Sequence, residues 1–323
     1  MEFKKVNSNY VSEAVALAIL EYERECTKCG QLIKNDYKEK LQGLIENLFQ
    51  SQYGIMALKQ GELTGYLCFY GPWDGFFGEV KGAFSPLGGS AIAGNDRNKI
   101  ASLLFEKASE ELIKDGICSI AICVYAHDEE IAKSFVMNGF GIRCSDAIRD
   151  LNVNVDMHIK PDNILFSELE RGKYRDIRLL KIELEKHLSK APIFFPANIN
   201  RIDDWLNNDE SRIFVAKENN EIIGYIEVGD KGENFITENK AMRSICGAYF
   251  KKEHRNKEVA ANLLKYICEQ LKAEGIGYLG VDCETLNPNA LRFWGKYFEN
   301  YTYSFHRRID ERIIGFYKYL DEI

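Results

Sequence analysis

Proline is scarce in this chain, with six in 323 residues, and nowhere does an apolar run approach eighteen residues. The first shortage leaves no room for a long proline-rich linker, and the second argues against a membrane-spanning helix. The apolar patch nearest the N-terminus, Ala14 to Leu20, has seven residues between Glu13 and Glu21. It is too short for a span, and its edges are too acidic for a secretory leader. Positive charge is in deficit as well: 42 lysines and arginines against 49 acids give a net charge of −7 and a pI near 5.5. A binder of nucleic-acid backbones needs a broad basic field, so no nucleic acid is expected as partner, although one local basic pocket is compatible with this balance. Paired metal motifs are missing too. Cys26 and Cys29 form a CxxC on a charged helical stretch, but no second CxxC or CxxH lies near to complete four zinc ligands, and no metal is expected. Other cysteines sit in apolar runs such as Tyr66-Leu67-Cys68 and read as buried reduced thiols. These absences point to a soluble, cytoplasmic protein with no membrane contact.

What the chain does contain is repetition. Domains usually run to roughly 100–200 residues, so a chain of 323 with 46% hydrophobic content can support two cores. Residues 56–67 (Met-Ala-Leu-Lys-Gln-Gly-Glu-Leu-Thr-Gly-Tyr-Leu) resemble residues 215–226 (Val-Ala-Lys-Glu-Asn-Asn-Glu-Ile-Ile-Gly-Tyr-Ile). Ala57 answers to Ala216, and Gly65-Tyr66 to Gly224-Tyr225, both at a separation of 159. Each stretch reads as a hairpin, turning at Gln60-Gly61 or Asn219-Asn220. Gly82-Ala83-Phe84 then answers to Gly247-Ala248-Tyr249 at 165, and Arg97-Asn98-Lys99 to Arg255-Asn256-Lys257. Gly116-Ile117 and Gly275-Ile276, each before a strand, return to 159. Several matches in order make duplication the preferred account.

Each copy therefore reads strand, one or two helices, hairpin, long strand, helix, strand, helix, strand. The fold class is α/β (an α+β mixed sheet), in two tandem domains at residues 1–152 and 160–323, each sheet covered by helices. Early helices are expected from Tyr10 to about Cys29, from Asp36 to about Gln52 and from Tyr174 to about Ser189. The seam falls between Asp150 and about Ile164, where Pro161-Asp162-Asn163 breaks the pattern.

The most informative stretch is Cys246-Gly-Ala-Tyr-Phe-Lys-Lys-Glu-His-Arg-Asn-Lys-Glu-Val-Ala-Ala-Asn-Leu-Leu264. A strand ends near Phe250, a polar turn follows and a helix starts near Asn256. A helix start offers unpaired backbone N–H groups and the positive end of a dipole, which suits a phosphate.

This stretch resembles the GCN5-related N-acetyltransferase (GNAT) superfamily, whose turn reads Arg/Gln-x-x-Gly-x-Gly/Ala. Arg255-Asn-Lys-Glu258-Val-Ala260 matches its first and last positions and departs at the middle one. Asn287-Pro-Asn-Ala290-Leu-Arg-Phe-Trp294 is similar to the family's Asn-x-x-Ala-Ile-x-x-Tyr stretch. The resemblance implies an acetyl-CoA donor. Ala248, Tyr249 and Phe250 would pair with its pantetheine arm, and Asn256, Lys257, Glu258, Val259, Ala260 and Ala261 would wrap the pyrophosphate beside Arg255. Asn287 would bond the arm and Trp294 would take the place of the family's tyrosine. Asp282 falls where some members carry a general base, with Glu284 two residues on along the same strand face. Two departures matter. Glu258 puts a side chain and a negative charge where the family has glycine. Trp294 cannot protonate a leaving thiolate, so Tyr297, three residues on along a similar helical face, is the substitute acid.

The first copy has Phe135 at the Trp294 position and Cys123 at the Asp282 position, and its helix entry lacks the arginine–glycine spacing. It reads as a non-catalytic partner. The expected function is transfer of an acetyl group to a small-molecule or peptide amine. The rival is an inactive acyl-CoA-binding or scaffold protein of the same fold. His254 reads as exposed and His187 and His306 as packed or solvated, and monomer and dimer are both compatible with the sequence.

Overall fold

Two hairpins with matching turns anchor the fold. In the computed structural model, which describes residues 1–153, 163–208, 210–230, 232–255 and 258–320, β2 (Gly54–Lys59) and β3 (Glu62–Cys68) meet through Gln60 and Gly61 at φ 55° and 87°. The second hairpin, β10 (Arg212–Glu218) and β11 (Glu221–Gly229), turns through Asn219 and Asn220 at φ 49° and 67°. Two left-handed residues in succession give a turn whose twist suits the flanking strands. Both hairpins carry a bulge directly after the matched alanine, at Ala57/Leu58 and Ala216/Lys217.

The chain divides into two compact units, Met1–Ser145 with Asn300–Ile323, and Asp146–Glu299. Unit 1 begins with β1 (Glu2–Lys5), α1 (Val11–Lys28) and α2 (Lys38–Phe49). After the first hairpin come β4 (Tyr70–Trp73), β5 (Lys81–Ser85), β6 (Ser90–Ile92), α3 (Arg97–Lys114), β7 (Ile117–Tyr125) and α4 (Glu129–Met137). Next is β8 (Gly141–Asp150), which enters unit 2 at Asp146. Unit 2 continues with β9 (Ile164–Glu168), α5 (Arg178–Leu188), α6 (Asn200–Asn208) and the second hairpin. It ends with β12 (Met242–Phe250), α7 (Val259–Ala273), β13 (Tyr278–Glu284) and α8 (Pro288–Trp294). Finally β14 (Glu299–Arg308) and α9 (Arg312–Leu320) return to unit 1.

Both units are mixed α/β, as the alternation of periods implies. In unit 2 the neighbours run β13, β12, β11, β10, β9, with β12 antiparallel to β11 and parallel to β13. The counterpart of β12 in unit 1 is broken in two: β5 pairs with β7, β6 pairs with β3, and the turn through Pro86 to Gly89 lies between them. That excursion explains why the separation between matched residues is larger at Gly82 than at Arg97. The core of unit 1 gathers Leu67, Phe69, Leu104, Phe105, Ile120 and Phe305, while that of unit 2 gathers Phe214, Ile226, Leu263, Leu264, Ile267 and Leu279.

Several expectations change. The strand closing the second sequence copy, β14, pairs antiparallel with β7 from Thr302 opposite Tyr125 to Arg308 opposite Ser119, so unit 1 is not one continuous segment. The expected domain start at 160 lies outside the described residues. The helix expected from Tyr174 begins only at Arg178; Arg171–Ile177 is a 3-10 turn that buries Tyr174 and Ile177, three residues apart, a spacing that suits three residues per turn. Among the described residues no helix is long and apolar enough to cross a membrane.

Candidate functional site

A break in strand pairing opens the site in unit 2. The β11–β12 register slips between Glu227 and Val228, leaving Cys246 as an extra residue, a β-bulge that bends its strand. On its other edge β12 runs parallel to β13 only from Met242 opposite Tyr278 to Ile245 opposite Val281. Past the bulge the ladder between them ends, and Ala248, Tyr249 and Phe250 border a cleft of about 730 Å³. Phe250 is held flat by Gly224 opposite it: a methyl group on Gly224 would stand 2.1 Å from the Phe250 ring.

The turn after β12 forms one end of the cleft. Arg255 donates its Nε–H to the Phe250 carbonyl at 2.9 Å, and its guanidinium stands 4.9 Å from the centre of the Tyr249 ring. Glu258 precedes α7 in a left-handed conformation, φ 58° and ψ 5°, the shape a glycine adopts without cost. Where the resembled motif has glycine, Glu258 thus keeps the left-handed conformation at the expense of backbone strain and lines the cleft. Ala260 and Ala261 also line it, whereas Val259 points into the core. Asn256 and Lys257 lie outside the described residues. His254, expected in solvent, has a mostly buried side chain 3.8 Å from Glu218 and faces the cleft.

The opposite wall comes from α8. Asn287 is buried and caps this helix, its Oδ1 accepting the Ala290 N–H at 3.3 Å. Trp294 lines the cleft while packing edge-on against Phe293 and Phe298. Tyr297 also lines it, although not from the helix: α8 stops at Trp294 and Tyr297 follows in a turn. Burial, and after it the Glu258 carboxylate, raises the Tyr297 phenol above its ordinary range.

Asp282 and Glu284 share the β13 face opposite Leu279, Val281 and Cys283, and neither borders the cleft as outlined. The Asp282 side chain still reaches solvent, yet surrounding protein strips enough water from its carboxyl, with further repulsion from Glu233, Asp146 and Glu284, to push it up to about 7. A carboxylate poised there is suited to accept a proton near neutral pH. Among the described residues no group of three or more His, Cys, Asp or Glu is placed to hold a metal ion.

Residues to which the sequence assigned no role in the site complete the cleft. Lys252, Arg292 and Lys296 join Arg255 there, so among the described residues four permanent cations face one carboxylate, Glu258, in a chain of net charge −7. His187 enters from the last turn of α5; burial and then the charge of Arg255 favour its neutral form, against a hydrogen bond with Asn287. Spacing alone carries no sign that α5 approaches α8. The donor set fits a phosphorylated ligand with an amide-bearing arm: cations and a helix start in the lining, and a strand edge free of β13 along the side.

Residues 179–299 match the model of the acetyltransferase (GNAT) family. No curated protein sequence matches the chain. Among solved structures, a GCN5-related N-acetyltransferase from Sphaerobacter thermophilus is similar over 95% of both chains, with 12% identity and a TM-score of 0.59. A tandem GNAT protein from the clavulanic acid biosynthesis pathway is similar over 95% of this chain and 98% of its own, with 13% identity and a TM-score of 0.50. A glucosamine N-acetyltransferase region of a fungal multi-domain β-N-acetylglucosaminidase matches over 94% of this chain and 38% of its own, with 13% identity and a TM-score of 0.54. At these identities the likeness is one of fold.

Proposed function

We propose, from the match of residues 179–299 to the acetyltransferase (GNAT) family model, that the chain transfers an acetyl group from acetyl-CoA to an amine, with the donor held in the unit 2 cleft. The observation that carries this reading is the parting of β12 from β13 past Cys246, in a cleft lined by Lys252, Arg255, Arg292 and Lys296. The free edge of Ala248, Tyr249 and Phe250 pairs with the donor's amide-bearing arm, and a backbone N–H there polarises the thioester carbonyl. Arg255, Asn256, Lys257 and the start of α7 hold the pyrophosphate, against the opposing charge of Glu258. Asn287 bonds the arm, and Trp294 packs along it.

Attack requires a neutral amine. Asp282, with Glu284 beside it, takes the proton as the nitrogen bonds to the acyl carbon and the carbon–sulfur bond breaks. Tyr297 supplies a proton to the departing thiolate. The acceptor is a small-molecule or peptide amine, and unit 1 takes no part in the chemistry. Two measurements test the reading: calorimetric titration with acetyl-CoA, and thiol release on a panel of amines. Saturable binding lost in an Asn287→Ala, Ala260→Trp double variant, with amine-dependent thiol release by the unaltered protein, is expected. No binding at millimolar acetyl-CoA would end it.

A further inference from the structure

Unit 1 contains a counterpart of the turn at Arg255, and its charges are already taken. Arg97 opens α3 and donates its Nε–H to the Ile92 carbonyl at 2.8 Å, five residues back, as Arg255 does to Phe250 at 2.9 Å. Its other donors meet acids. Nη1 donates to Asp128 Oδ1 at 3.0 Å and Nη2 to Asp128 Oδ2, while Nη2 also reaches both oxygens of Glu21 at 2.9 Å. The three side chains, Arg97, Asp128 and Glu21, are 14%, 13% and 9% exposed. In the first turn of α3 the Asn98 N–H donates to Glu130 Oε1 at 3.2 Å.

The sources of these acids mirror unit 2. Asp128 caps α4 by accepting the Ile131 N–H at 3.3 Å, as Asn287 caps α8 by accepting the Ala290 N–H at 3.3 Å. The same post is charged in unit 1 and neutral in unit 2. Among the described residues no carboxylate pairs with Arg255. Two carboxylates around Arg97 leave the local charge negative, relieved in part by Arg24 on Glu21 at 2.9 Å. An incoming phosphate would have to displace both acids and leave them unpaired in a poorly hydrated site, which is strongly unfavourable.

We infer that unit 1 carries an anion-binding end built like that of unit 2 and sealed from within: Glu21, Asp128 and Glu130 stand in for the donor's phosphates, so the chain takes up one CoA and not two. The count rests on the donor site proposed for unit 2; the seal does not. The experiment has two parts. Calorimetric titration of the full chain with CoA is expected to give one equivalent for the unaltered protein and for Arg97→Gln, and none for Ala260→Trp. A second equivalent, lost in Arg97→Gln, would overturn the inference without need of any unsealed variant. Inorganic pyrophosphate is then titrated into Ala260→Trp with and without Glu21→Gln, Asp128→Asn and Glu130→Gln. Unsealing is expected to raise pyrophosphate affinity by about tenfold or more, and Asp128→Asn alone, which keeps the α4 cap, to raise it by less. A folded unsealed protein, verified by circular dichroism, with no gain would overturn the seal. No CoA binding by the unaltered protein would instead remove the unit 2 reading, leaving the pyrophosphate gain to decide the seal.

Discussion

The Glu258 carboxylate lies close enough to Tyr297 to raise the phenol's ionisation beyond what burial alone does. The same residue holds a left-handed backbone at the entry to α7. One side chain thus strains the turn and places a negative charge among the cleft's cations.

Replacing it tests both effects at once. Left-handed backbone costs a non-glycine residue roughly 1 kcal/mol or more, and a carboxylate at a helix start that must receive a phosphate opposes it by a similar amount. Glu258→Gly is expected to raise the thermal midpoint by a few degrees and tighten CoA binding about threefold to tenfold. The Tyr297 phenol should titrate lower in the variant, read by ultraviolet difference spectra. Weaker CoA binding would mean that Glu258 contributes a contact to the donor.

Asp282 carries a pH prediction with a definite sign. Its carboxyl is pushed from 3.8 up to about 7 by desolvation and three neighbouring acids. Over that window the folded chain binds more protons at this site than the unfolded chain, so this site makes stability fall as pH rises from about 4 to about 7. Activity should move the other way, rising through an apparent pKa near 7 as the base ionises. Asp282→Asn is expected to flatten the fall, to be more stable than the parent at pH 8, and to lose about a hundredfold or more in turnover. Unchanged turnover with unchanged pH dependence would remove Asp282 from the mechanism.

The parts of the site legible in the sequence were those set by local rules. The strand end at Phe250 and the helix start at Val259 lie in one continuous stretch, and the hairpins announce themselves through Gln60-Gly61 and Asn219-Asn220. Periodicity says that β14 is a strand but not which sheet takes it, and the chain gives it to β7. Helical spacing also misplaced Tyr297, because Gly295 ends α8 before the periodicity runs out. The cations Lys252, Arg292 and Lys296, and His187, converge only once α5 and α8 pack about β12. Nothing in their spacing distinguishes them from solvated side chains. Glu258 illustrates the converse: it breaks the motif in sequence, yet the backbone still adopts the glycine-like turn.

Asn287 has two duties that substitution can separate. Its Oδ1 caps α8, and its position in the cleft wall suits it to bond the donor's arm. Asn287→Ala removes both, with an expected loss of about 1 kcal/mol of stability from the missing cap. Asn287→Asp keeps the cap and puts a charge where Asp128 stands in unit 1. That variant should melt within a degree or two of the parent while binding CoA about tenfold more weakly. Equal affinity in the aspartate variant would mean that the residue acts only as a cap.

A last test concerns the support behind the cleft rather than the cleft itself. Glu227 on β11 is almost completely buried; Lys181 of α5 reaches one of its oxygens at 2.7 Å, and the Trp205 indole N–H of α6 donates to the other at 2.9 Å. The Lys181 ammonium also lies over the Trp205 ring, 3.0 Å from its centre. One carboxylate thereby fastens both helices to the sheet next to the bulge. Removing the cation strands a buried negative charge, whereas neutralising the acid leaves a lysine whose flexible stem can carry its head to water. Lys181→Met is therefore expected to cost about 3 kcal/mol in urea denaturation and Glu227→Gln distinctly less, since the amide oxygen still accepts the Trp205 N–H. Equal losses in the two variants would show that the ammonium is as strongly confined as the carboxylate, and that α5 cannot shift to release it.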